Sequence, residues 1–137
     1  MQWNNKYIYP KSTRSIVDGS RHYSINEERL PSVTTILKAT ESEEKKASLQ
    51  AWKLRVGHKQ AAIITQEASS RGSSMHEYLE KFLLGKLNLD LLGDNTKERM
   101  MADQIIENGL RSKLDVIWGC EATLYYPGKY AGAADCV

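Results

Sequence analysis

The 137-residue sequence holds only two cysteines, Cys120 and Cys136, and their spacing matches no metal knuckle. A disulfide scaffold is not expected; the pair reads as small apolar residues on neighbouring strands in a reducing compartment. No apolar run approaches the roughly 18 residues that a bilayer span needs. Met1-Gln2-Trp3-Asn4-Asn5-Lys6 lacks the apolar centre of a secretion signal. The expectation is a cytoplasmic protein with no membrane partner. Charge of one sign is also scarce: 19 basic and 17 acidic residues leave a formal net charge of +2. Any polyanion must therefore be met by local clustering and not by a global field. Internal repeats, low-complexity tracts and a dividing linker are missing too. With 41% hydrophobic and 26% charged residues, the composition supports a packed core, and 1–137 reads as a single domain.

Ser15-Ile16-Val17 and His22-Tyr23-Ser24-Ile25 flank Asp18-Gly19, whose tolerance of positive φ predicts a tight hairpin. Tyr7-Ile8-Tyr9 is the expected third strand of this β-ribbon, which covers 1–30. A helical region follows over 31–115. Ser32 is placed to cap a short helix with Val33, Ile36 and Leu37 on one face. Glu43–Val56 is rich in good helix formers, carries Leu49, Trp52 and Val56 at helical spacing, and meets a stop at Gly57. From His58 the pattern continues through Ala61, Ala62, Ile64, Thr65 and Ala68. Gly72 predicts a kink or break at Ser70 to Ser73 before Met75, Leu79, Phe82 and Leu83 resume, and Gly85 ends the helix. Asp90 to Asn95, with Gly93, caps a long amphipathic helix running from about Thr96 past Met100, Ile105, Ile106 and Leu110 to Leu114. Two strands close the chain, Val116 to Tyr126 and Tyr130 to Val137, joined antiparallel through Pro127-Gly128-Lys129.

Hydrolysing a phosphodiester at neutral pH requires an activated water and relief of phosphate charge, and carboxylate-held divalent cations supply both. Oxygen donors suit Mg²⁺ or Mn²⁺, and one imidazole among them is compatible with Mn²⁺. Three candidates for such a donor set lie in order along the chain. His76 ends Arg71-Gly72-Ser73-Ser74-Met75-His76 on a helix, Glu121 sits on the penultimate strand, and Asp135 ends Gly132-Ala133-Ala134-Asp135 on the last.

In this order and setting the sequence resembles the RecB-like branch of the PD-(D/E)xK nucleases, the branch of phage exonucleases and the mitochondrial genome maintenance exonuclease. The resemblance implies an α+β fold with an α/β-like core: a helical N-terminal arch leading into the first two strands, 116–137, of a restriction-endonuclease-like mixed sheet. It implies a Mg²⁺- or Mn²⁺-dependent DNA exonuclease of phage-like replication, recombination and repair, in the cytoplasm of a bacterial host if phage-encoded. His76, Glu121 and Asp135 would be the catalytic, metal-holding residues. Arg71, Gly72 and Ser73, with Arg55 and Lys59 ahead of them, would meet DNA with free ends or single strands threaded under the arch. The family's third core strand, with Asp/Glu-x-Lys, does not follow Asp135. The resemblance thus implies the N-terminal part of a longer exonuclease, or one completed by a further segment or a partner chain on the open sheet edge.

Each residue also has an ordinary reading. A lone helical histidine is usually solvated or hydrogen-bonded, Glu121 alternates with apolar neighbours as an outward-facing strand residue would, and Asp135 is consistent with an exposed strand end. Glu80, one turn beyond His76, reads as surface or as an outer support for a metal ligand. Trp52 reads as core, while Lys45, Lys46 and Lys53 form a basic face diluted by Glu43 and Glu44. Tyr125, Tyr126 and Tyr130 suit cross-strand packing as well as base stacking. Other classes compatible with these residues are a non-catalytic DNA-end-binding module, a helical interaction protein, and a subunit completed by another chain.

Overall fold

The computed structural model describes residues 1–86 and 96–137, so the cap expected at Asp90 to Asn95 lies outside the described residues. The fold is α+β. In chain order the elements are β1 (Gln2–Trp3), β2 (Thr13–Val17), β3 (Ser20–Ile25), β4 (Glu28–Pro31), α1 (Val33–Ala39), α2 (Glu43–Val56) and α3 (His58–Leu83). There follow α4 (Lys97–Ile105), a π-helical turn (Ile106–Leu110), α5 (Arg111–Lys113), β5 (Val116–Ile117), β6 (Cys120–Tyr126) and β7 (Tyr130–Cys136). They gather into two compact units, one of Met1–Trp3 with Ser48–Ile117, the other of Asn4–Ala47 with Trp118–Val137. Among the described residues no helix is long and apolar enough to cross a membrane.

The second unit contains most of the strands. Asp18 and Gly19, at φ of 51° and 77°, make the expected hairpin turn between β2 and β3. The third strand of that sheet is β4, not Tyr7-Ile8-Tyr9, because Asn26 and Glu27 adopt the same left-handed conformation, with φ of 50° and 67°, and fold the chain straight back. Pro31 ends β4 on the sheet edge, where its missing N–H breaks no ladder. Tyr23, Ile25 and Leu30 from this sheet bury with Ala131 of β7, and Tyr125 packs against the group.

Ser32 ties this unit together. It is 2% exposed, and its backbone N–H donates to the Arg21 carbonyl of β3. Its side chain caps α1 by accepting from Thr35 N at 3.1 Å and also meets the hydroxyls of Thr34 and Thr35. It forms a parallel bridge with Ala131 as well. The cap is as expected, yet Val33 and Leu37 remain 38% and 64% exposed, so capping and not a buried stripe defines α1.

The helical unit departs from expectation at two places. First, α3 runs unbroken from His58 to Leu83, with no kink at Ser70 to Ser73. A helix-interior glycine costs only about 1 kcal/mol, which a helix of 26 residues absorbs. Its end satisfies every one of the last carbonyls: Leu84, Lys86 and Gly85 donate to Glu80, Lys81 and Phe82, and the Trp3 indole donates to Leu83 at 2.8 Å. Second, the helix begun by the Thr96 cap, in which Ala102 is buried and Met100 stays 61% exposed, widens into the π-helical turn at Ile106, itself buried.

The expected single strand Val116 to Tyr126 is two. β5 pairs in parallel with β1, and β6 pairs with β7. The break falls at Trp118-Gly119, where a side chain on Gly119 would lie 2.7 Å from the Tyr9 ring.

Ser32→Ala removes a cap and leaves neighbouring hydroxyls without their partner. The expected cost is about 1–2 kcal/mol, read as a lower midpoint in chemical denaturation, with Ser32→Thr losing less. An unchanged midpoint for the alanine variant would mean that the cap is not what holds this unit.

Candidate metal centre

The turn Pro127-Gly128-Lys129, with Gly128 at φ 72° and Lys129 N–H donating to the Tyr126 carbonyl, fixes β6 against β7. The resulting partners run Tyr126 with Tyr130, Tyr125 with Ala131, Leu124 with Gly132, Thr123 with Ala133, Ala122 with Ala134 and Cys120 with Cys136. Glu121 and Asp135 therefore occupy facing positions between the last two pairs. Glu121 adopts φ 50°, which interrupts the ladder at this step without shifting its register. A glutamate in left-handed backbone inside a strand is uncommon and strained, and such strain collects where a side chain is held for a purpose.

Both carboxylates are exposed, and an oxygen of Glu121 lies within 4.8 Å of one of Asp135. Carboxylates at facing strand positions offer oxygen donors of the kind that a hard cation prefers. The donor chemistry fits Mg²⁺ or Mn²⁺. Immediately outboard, the Cys136 thiol is pushed above its ordinary pKa, first by burial and then by the neighbouring Asp135 charge.

His76 is carried by α3 of the helical unit and is exposed. Because α3 is continuous, Gly72, His76 and Glu80 succeed one another at one-turn intervals along a single stripe. A side chain on Gly72 would meet nothing within 4 Å, so among the described residues the glycine makes room for no close backbone neighbour. On an adjacent face Lys81 donates to Glu77 at 2.7 Å. This hydrogen bond holds the Glu77 carboxyl below and the Lys81 ammonium above their ordinary pKa values, both groups being exposed.

The expected DNA-contacting residues are spread out. Arg71 is half-buried and lines an open hollow with Glu67, Ser70, Thr96, Lys97 and Glu98, so acidic groups share its surroundings. Ser73 is exposed on α3, Lys59 is exposed in the first turn of that helix, and Arg55 is exposed near the end of α2. Lys45 and Lys46 are paired to Glu41 and Glu43 at 3.3 Å, a solvated arrangement. Trp52 is half-buried. Tyr126 and Tyr130 stack on one another with centroids 5.9 Å apart. The sequence reading missed a basic and aromatic contact at the other end of this unit, where Lys6 lies over the rings of Tyr7 and Trp118 at 5.2 and 5.5 Å. Lysine followed by an aromatic residue in an irregular segment carries no distinctive pattern. Comparison with models of known families, with curated proteins and with solved structures finds no match for the chain.

Glu121→Gly should relieve the left-handed strain. A gain of about 0.5–1 kcal/mol is expected in cation-free solution, whereas Glu121→Val should destabilise. Denaturation of both variants with a chelator present checks this; a glycine variant weaker than the parent would show that the glutamate side chain stabilises the hairpin.

Proposed function

We propose that this chain carries the metal-holding part of a Mg²⁺- or Mn²⁺-dependent DNA nuclease of the PD-(D/E)xK, RecB-like kind, with Glu121, Asp135 and His76 as the ligands. The single observation that carries the reading is the Glu121–Asp135 pair: opposed carboxylates presented to solvent by a strained strand position. The ordered motif Arg71-Gly72-Ser73-Ser74-Met75-His76 supports the assignment of the nitrogen ligand. Phosphodiester hydrolysis is the chemistry for which this donor set is suited.

In this reading Glu121 and Asp135 would hold the cation through oxygen, and His76 would add a ring nitrogen. When bound, such an ion supplies charge relief at the phosphate and a more acidic water. The hairpin register sets the two carboxylate-bearing residues opposite one another, which shortens the search that precedes binding. Ser73, one turn before His76, offers a hydroxyl to a phosphate oxygen, and Lys59 and Arg55 offer positive charge to the DNA backbone further along the helices. Glu80, one turn beyond His76, is placed to accept from the second ring nitrogen and so fix its tautomer.

The direct readout is cation uptake. Titration calorimetry with MnCl₂ should give a site that weakens at least about tenfold in Glu121→Gln and in Asp135→Asn. His76→Ala should weaken it by a smaller factor, because one neutral ligand is lost and no charge. Manganese should also raise the melting temperature of the parent and not of the carboxamide variants. Absence of uptake by the parent would reject the metal reading; salt-sensitive DNA binding persisting without it would leave a binding module in its place.

A further inference from the structure

The geometry points to a reversible cross-strand disulfide between Cys120 and Cys136, a modification site that is independent of the metal reading. The two cysteines are register partners at the open end of the β6–β7 hairpin. Just beyond them, Gly119 and Val137 exchange both backbone hydrogen bonds, Gly119 N–H to Val137 O at 3.2 Å and Val137 N–H to Gly119 O at 2.9 Å. In an antiparallel ladder, pairs that exchange hydrogen bonds alternate with pairs that do not. Cys120 and Cys136 therefore form a non-hydrogen-bonded pair, the closer kind, with Cα atoms about 4.5 Å apart and side chains on the same face. That spacing falls at the short end of the range of about 4.4–6.8 Å over which a disulfide closes without moving the backbone.

Access is also present. Both cysteines are partly exposed, and each is a thiol in the reduced chain. Trp118 N–H also donates to the Val137 carbonyl, at 2.7 Å, so both strands are held together beside the cysteine pair.

With a small disulfide such as oxidised glutathione as oxidant, one cysteine thiolate attacks a glutathione sulfur. The S–S bond of the oxidant breaks, a mixed disulfide forms and one glutathione thiolate leaves. The second cysteine, as thiolate, then attacks the protein-side sulfur, forming the Cys120–Cys136 bond and releasing the second glutathione. Two protein thiols lose their protons and two electrons pass to the glutathione pair. The cross-link lies one residue outboard of Glu121 and Asp135, so oxidation clamps the strand step that presents them.

The test treats the native full-length chain with oxidised glutathione, traps remaining thiols by alkylation, and maps peptides by mass spectrometry without reduction. The expected result is a monomer that has lost both alkylatable thiols and yields the Cys120 and Cys136 peptides joined to each other, with full recovery of thiols on reduction. Cys120→Ser and Cys136→Ser should each stop at a stable glutathione adduct on the remaining cysteine. Persistent adducts on the parent chain without a joined peptide, covalent dimers, or no reaction under conditions where the denatured chain reacts completely would each overturn the assignment. None of these readouts involves a metal, so this result and the manganese titration fail or succeed separately.

Discussion

The pairing of β6 with β7 is the constraint on which the candidate chemistry depends. Side chains on a strand alternate between faces, so a slip of one position would turn every residue to the wrong side and separate Glu121 from Asp135. The slip is prevented at both ends. Pro127-Gly128-Lys129 sets the turn, and at the far end Gly119 and Val137 close the ladder with two hydrogen bonds. Between them Ala131, wholly buried against Tyr23, Ile25 and Leu30, fixes which face of β7 meets the core. Ser32, bridged to Ala131 and bonded to β3, holds that contact from the other side. An unfavourable conformation at Glu121 persists because the steps around it are over-determined.

Much of this was legible in the sequence because glycine and proline punctuate it. Asp18-Gly19, Gly57, Gly85 and Pro127-Gly128 mark turns and helix ends where positive φ or a fixed φ is needed, and each does so in the structure. Once the last turn is placed, the facing of residues 121 and 135 follows by counting outward from it. The helix carrying His76 was legible from its composition, since Ala, Glu, Lys and Leu favour it without help from packing.

What the sequence hid has specific causes. The Asn26-Glu27 turn gave no signal because glutamate seldom adopts left-handed backbone. Gly72 resembled a helix break because local propensity ignores the length of helix on either side. The run from Val116 to Tyr126 has uniform β character, and its interruption falls at Gly119, where the Tyr9 ring, more than a hundred positions away in sequence, leaves no space for a side chain. The left-handed backbone of Glu121 has no signal in the residues beside it either.

The continuity of α3 has a geometric corollary for anything that touches more than one of its polar groups. At 3.6 residues per turn, Arg71 and His76 project about 140° apart around the axis, with roughly 7.5 Å of rise between them. A ligand small enough to sit on the imidazole is thus out of reach of that guanidinium. To engage both groups, a polymer must curl around the rod by more than a third of its circumference.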